Sequence, residues 1–310
     1  MNTTELLALT MVKGIGDSFI KKNREYLMKE DVLFSVVSNK EKKEVENIQK
    51  YIDRANDLLN ESQKKGFDVI SIFSKEYPQK LLELNNPPSF LYLIGRKALL
   101  ENAIAIIGTR HSTALGNRIA NRIGNHFSQH YSICNGLAEG IDENAILNAN
   151  GAFPNVVGVI SGGIDYTNTC THKHCSTIDK VLSAGGLILS EFPIGQKEDK
   201  YSGSKASRIQ AGLSKALILV QSSTTGGSKY TLEAFAKLNR PLGIVQYVSS
   251  EEYIQDKSFG ANRLILEKKE MGLAELIGSK KTTSIAVKKI IPIQSVQDYT
   301  VLENSICQIF

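Results

Sequence analysis

The fold is set by the stretch Ala103-Ile-Ala-Ile-Ile-Gly108-Thr109-Arg110-His-Ser-Thr113-Ala-Leu-Gly116. A short apolar run stops at a glycine, crosses a polar loop carrying one arginine, and opens into a helix-patterned segment. Strand, glycine turn and helix in that order let a nucleotide-binding α/β domain offer backbone N–H groups and a cation to a phosphate. The stretch therefore predicts an anion site but does not name the anion.

Working outward, further apolar runs of strand length alternate with helix-patterned stretches: Phe67–Phe73, Phe90–Ile94, Tyr131–Cys134, Val156–Ile160, Gly186–Leu189, Ala216–Val220 and Leu242–Val245. Continuous rather than alternating apolar runs mark strands covered on both faces. The connections are long enough to carry helices, so the expected architecture is α/β, an extended Rossmann-like, doubly wound, mostly parallel sheet over residues 67–278. Ligands in such sheets bind beyond the carboxyl ends of the strands, near the point where strand order reverses.

The loops after these strands are Gly108-Thr109-Arg110, Asn135-Gly136 through Asp142, Ser161-Gly162-Gly163-Ile164-Asp165, Ser190-Glu191-Phe192-Pro193, and Ser222 through Gly227-Ser228. Parallel strands would bring all five to one sheet edge. Three glycine-rich loops there would turn N–H groups and helix N-termini toward a common phosphate-favouring cleft. Nearby cations are Arg110, Lys205, Arg208 and Lys229. Arg110 would bind phosphate as a planar fork and the lysines as point charges. The competing structural role for Arg110 is an ion pair with Asp142, Asp165 or Glu191.

Several chemistries find no support. The first strand–helix turn lacks the GxGxxG of nicotinamide sites, and no GxxxxGK[ST] occurs. Cys170-Thr-His172-Lys-His174-Cys175 holds the ligand types zinc prefers, but its spacing is too compact for the usual CxxC…HxxxH arrangement, so a polar loop at a helix start is expected and no metal or cofactor. No histidine or cysteine completes a nucleophile–base pair with the loop carboxylates, so no catalytic residue is expected.

The 310 residues carry a formal net charge of +5, with 42% hydrophobic and 22% charged residues, and suit a soluble globular protein. The mild basicity permits a polyanionic partner. Tryptophan is absent and aromatics are few, so a base-stacking platform would be sparsely furnished. Four scattered cysteines do not make a disulfide framework, and Met1–Glu5 has no signal-peptide pattern; a cytoplasmic location is expected. Residues 1–66 predict a small helical module. Gly14-Ile15-Gly16 between two helices suits either a helix-hairpin-helix contact to a DNA phosphate or a tightly packed turn. A charged helix is expected from Lys40 to Lys65, ended by Gly66. Residues 279–310 are expected as a packed tail or truncated accessory module.

At these residues the chain resembles the DprA/Smf family of DNA-processing proteins. The resemblance runs in order through Tyr77-Pro78 and Leu81; Pro87-Pro88, Leu91-Tyr92 and Gly95; Gly108-Thr109-Arg110, Thr113 and Gly116; Gly136-Leu137-Ala138 and Gly140-Ile141-Asp142; Gly162 to Asp165; and Ser190-Glu191. It continues through Arg208-Ile209, Ala211-Gly212-Leu213-Ser214, Gly227-Ser228, Thr231, Arg240, Gly260, Asn262, Leu264 and Ile265. The resemblance implies a dimer that binds single-stranded DNA and passes the strand to a RecA-type recombinase, typically in natural transformation. The phosphate-binding positions it carries over are Arg110, the glycine loops and Arg208. Departures are also present. Ala145-Ile146 stands where the family has alanine–histidine, Ala206-Ser207-Arg208 where it has Arg-Asn-Arg, and Gln246-Tyr247-Val248 where proline–glycine is usual. A C-terminal winged helix has no clear counterpart.

Two classes of function follow. In the first, a non-enzymatic protein grips single-stranded DNA through Gly108, Thr109, Arg110, Asn135, Gly136, Gly162, Gly163, Lys205, Arg208, Gly227, Ser228 and Lys229. In the second, a Rossmann-like sensor or hydrolase takes a nucleotide, with Glu191 or Asp142 acting on a ribosyl bond.

Overall fold

The structure, a computed structural model, describes residues 1–29, 32, 33, 35, 36, 48–247, 253, 254 and 256–307. Its strands are β1 (Asp68–Ser71), β2 (Phe90–Gly95), β3 (Ala103–Ile107), β4 (Ser132–Asn135), a small hairpin of β5 (Leu147–Asn148) and β6 (Gly151–Ala152), β7 (Val156–Val159), β8 (Leu187–Ser190), β9 (Ser214–Leu219), β10 (Pro241–Val245) and β11 (Lys289–Ile293). All but the hairpin form one nine-stranded sheet in the order β1-β2-β8-β7-β4-β3-β9-β10-β11. From β8 to β11 every pair is parallel. The expected mostly parallel α/β sheet is the one observed.

β1 and β2 form an antiparallel edge on β8. The chain between them folds back on itself, with the Ile72 N–H donating to the Ser89 carbonyl and the Tyr77 hydroxyl to that of Pro88. Every residue of β3, β4, β7, β8 and β10 is buried, as expected for strands covered on both faces.

Chain order runs from β3 outward through β4, β7 and β8, then returns to β9 on the other side of β3. The topological switch point therefore lies between β3 and β9, and the loops leaving them diverge around a crevice. Gln221 ties the two loops together. Its carbonyl accepts the Thr109 N–H at 2.7 Å, and its Oε1 accepts the Thr113 N–H at 3.1 Å. Thr113 in turn caps the helix Ala114–Phe127, its hydroxyl accepting the Gly116 N–H.

The N-terminal residues form helices Thr3–Thr10, Asp17–Lys22, Arg24–Leu27 and Ile48–Lys64, the first closed by a capping box between Asn2 and Glu5. Residues 40–47 of the helix expected from Lys40 lie outside the described residues, as do Val248 and Ile309-Phe310. Ile15, between the two glycines of the turn, is buried, and Gly14, Gly16 and Asp17 face the sheet domain across a cavity of about 940 Å³.

After residue 279 the chain remains part of the same sheet. β11 extends it beyond β10, and the helix Gln297–Cys307 packs behind, with Tyr299 against Phe127 at 5.4 Å between ring centroids. Among the described residues no helix is long and apolar enough to cross a membrane.

Candidate nucleic-acid interface

A cleft of about 870 Å³ opens at the switch point. It is lined by Gly108, Thr109 and Arg110 from the β3 loop, Gly136 and Asp142 from the β4 loop, and Gly227 and Ser228 from the β9 loop.

Most of the glycine-loop N–H groups do not face this cleft, contrary to expectation. The buried Asp142 carboxylate accepts the Gly136 N–H at 3.0 Å, with the N–H groups of Ala138 and Gly108 also directed at it. Asn135 is fully buried. Its Nδ2 donates to the Asp142 carbonyl, and its Oδ1 accepts the Leu137 N–H. The loops thus spend their donors on holding one another. Gly140 belongs to the same arrangement: its φ is +82°, and a Cβ there would lie 2.4 Å from the Thr109 carbonyl oxygen. Burial pushes the Asp142 carboxyl up to about 7, against the pull of those N–H donors and of Arg110.

The donors left for a ligand lie elsewhere in the same cleft. Arg110 is exposed, and its guanidinium makes no hydrogen bond or ion pair with any described residue, Asp142, Asp165 and Glu191 included. The start of the helix Ser228–Phe235 lines the same cleft. The N–H groups of Gly227 and Ser228 have no partner among the described residues. Ser228 is only 8% exposed, and its hydroxyl is also unpartnered. A helix N-terminus with free donors and a positive dipole end favours an anion.

Gly227 has ordinary helical φ, and a Cβ placed on it would meet nothing within 4 Å. The same holds for the open space around Gly203 on the cleft wall. The protein's own packing does not require glycine at either position, whereas close approach of a ligand would.

Lys205 and Arg208 are placed away from the cleft. Arg208 uses all five of its N–H donors: two on Glu191 at 2.6 and 3.0 Å, one on Asp17 at 2.9 Å, and one each on the carbonyls of Asn86 and Lys205. It staples the N-terminal module to the sheet domain and has no donor left for a phosphate. Lys205 lies over the Phe192 ring beside the N-terminal cavity. Gly162 and Gly163 pack under Thr169 and Pro193, with the Gly163 N–H donating to the Gln196 carbonyl; neither lines the cleft, although Ser161 does. Lys229 stands next to the helix start, its amine 5.3 Å from the Tyr230 ring centroid.

Tyr201 and Tyr230 are the aromatic members of the cleft that composition alone does not reveal. They are 59% and 44% exposed and both line the cleft. Lys200 lies over Tyr201 at 4.8 Å, as Lys229 lies over Tyr230. The sequence signal is a Lys-Tyr pair repeated at two helix starts, Lys200-Tyr201 and Lys229-Tyr230.

The family profile described as DNA recombination-mediator protein A matches residues 68–284. The chain is 29% identical to Protein Smf of Synechocystis over 259 residues, 76% of this chain and 62% of that protein. It is 31% identical to the DNA processing protein DprA of Bacillus subtilis over 190 residues, 59% of this chain and 62% of that protein. It thus spans about three-fifths of the length of these curated relatives. The X-ray structure of DprA from Streptococcus pneumoniae superimposes with a TM-score of 0.70 at 20% identity, covering 97% of this chain and 98% of that one. A Helicobacter pylori DprA structure, described as showing a unique single-stranded DNA binding mode, gives 0.59 at 23% identity over 77% of this chain and 97% of that one. With more than half of its length matched in order, the chain belongs to the DNA recombination-mediator protein A family.

Proposed function

We propose that the chain binds single-stranded DNA across the switch-point cleft as a DNA-processing protein and not as an enzyme. The observation that carries this reading is the pairing of an unengaged Arg110 with an unpartnered helix N-terminus at Gly227-Ser228, flanked by two exposed tyrosines. Arginine and helix N-terminus would take phosphates, while Tyr201 and Tyr230 would stack bases without regard to sequence. Gly108 and Thr109 position Arg110, and Lys200 and Lys229 add positive charge at the rim. Asn135 and Asp142 support the loops. The single-stranded DNA binding named for the Helicobacter pylori relative supports the choice of ligand. Delivery of the strand to a RecA-type recombinase, assembly as a homodimer, a part in natural transformation and a cytoplasmic setting extend this proposal from family membership.

Fluorescence anisotropy with a labelled single strand, competed by duplex DNA, RNA and free nucleotides, tests the reading. Single-stranded DNA should bind more tightly than the duplex, with affinity falling steeply as salt rises. Thermal stabilisation by a free nucleotide, with no response to any oligonucleotide, would replace this reading with a small-molecule site.

A further inference from the structure

Cys170 and His174, four residues apart in sequence, meet Glu198 from a separate segment of the chain. Cys170 closes the short helix Tyr166–Thr169, His174 stands in the first turn of the helix His172–Ser183, and Glu198 lies on the segment leading to Lys200-Tyr201. One ligand atom from each lies within 4.8 Å of the other two. The His174 Nε2 is buried and makes no hydrogen bond of normal geometry with the described residues, although the Gly136 backbone lies close to the ring. A buried ring nitrogen without a protein partner is met by an ordered water or by a bound ion.

The geometry points to a transition-metal site of the zinc class, with Cys170, His174 and Glu198 as protein ligands and an open fourth position. Thiolate, imidazole and carboxylate are a donor set zinc accepts, and three protein ligands with one exchangeable position is a common form. Metal–ligand bonds of about 2.0–2.3 Å put tetrahedral ligand atoms roughly 3.3–3.7 Å apart, so closing on an ion needs about 1 Å of side-chain movement. Cys175 is not a ligand: its thiol turns back to the Tyr166 carbonyl at 3.4 Å. The side chain of His172 lies outside the described residues.

The site would act on the neighbouring cleft through its surroundings. Glu198 accepts a hydrogen bond from Ser161, which lines the cleft, and Thr169 donates to the Gly163 carbonyl at 2.8 Å. A metal held here would join the Ser161–Asp165 loop to the segment carrying Lys200 and Tyr201. This last consequence rests on the DNA-binding reading; the metal site itself does not.

Cobalt(II) titration of the full chain, without DNA, provides the test. One equivalent should give a thiolate-to-cobalt charge-transfer band and the intense visible bands of tetrahedral coordination. Cys170→Ser should abolish the charge-transfer band, Glu198→Gln should weaken binding by about 10-fold or more, and Cys175→Ser should leave the spectrum unchanged. Zinc chloride should raise the Tm of the wild type but not of Cys170→Ser, while the two melt alike in chelator. No charge-transfer band, or a band retained in Cys170→Ser and lost in Cys175→Ser, overturns the assignment. Because no DNA is present, that failure would leave the cleft proposal standing.

Discussion

Replacing Arg208 with alanine should damage the fold and spare the proposed DNA site. The guanidinium is 12% exposed and its partner Glu191 only 6%, while Asp17 reaches it from the N-terminal module. Removing one member of a buried, hydrogen-bonded ion pair leaves the other charge desolvated and unpaired, at a cost of about 3–5 kcal/mol. That is a large share of the roughly 5–15 kcal/mol that holds a domain folded. Arg208 also links the module to the sheet domain, so Arg208→Ala should release residues 1–66 first and turn one unfolding transition into two. Urea unfolding followed by far-UV circular dichroism reads both effects, and a chain without tryptophan calls for that signal. Adding Glu191→Gln to Arg208→Ala removes the stranded charge and should recover about 1–3 kcal/mol. At low denaturant, the affinity of Arg208→Ala for single-stranded DNA and its salt dependence should match the wild type. An Arg208→Ala protein of near-normal stability that has lost DNA affinity would refute the reasoning and return Arg208 to the phosphate site.

Other outcomes follow from the same geometry. Asp142 has a folded-state carboxyl near 7 against about 3.9 in an unfolded chain, so its stabilising contribution is complete below about pH 4 and is lost as pH rises through 7. Asp142→Asn should therefore flatten stability against pH between about 4 and 7; urea midpoints across that range check this, and parallel curves for the two proteins would contradict it. Tyr201→Ala and Tyr230→Ala should each weaken single-strand binding by about 1–3 kcal/mol with little change in salt slope, and unchanged anisotropy titrations would remove the rings from the site. Gly227→Ala meets open space at an ordinary φ, so its melting temperature should hold or rise slightly, yet its DNA affinity should fall; equal affinity would mean that no ligand approaches there.

The parallel strands were legible because burial on both faces writes each of them as an unbroken apolar run, as in Ala103–Ile107. β11 was not. It is an edge strand, Lys289-Ile-Ile-Pro-Ile, and an edge tolerates the proline and the lysine that disguise it. The sheet edge that carries Gly108-Thr109-Arg110 was also readable, since parallel strands bring the loops that follow them to one edge. Spacing along the chain could not show that Arg208 meets Asp17, 191 residues away. Nor could it show that Asp142 draws loop N–H groups inward, because a glycine-rich loop reads the same whichever way its donors turn. The two tyrosines escaped notice because exposure, not number, makes an aromatic residue a stacking surface.

The most direct measurement is the affinity of Arg110→Ala for a single-stranded oligonucleotide across a salt series, set beside the wild type. Arg110 is taken to supply one phosphate contact by a charge-assisted hydrogen bond. The variant should then bind about 10- to 100-fold more weakly, whatever the oligonucleotide sequence, with the slope of log K against log salt shallower by about 0.7. Identical affinity and slope in the two proteins would contradict the claim that the strand lies across this cleft.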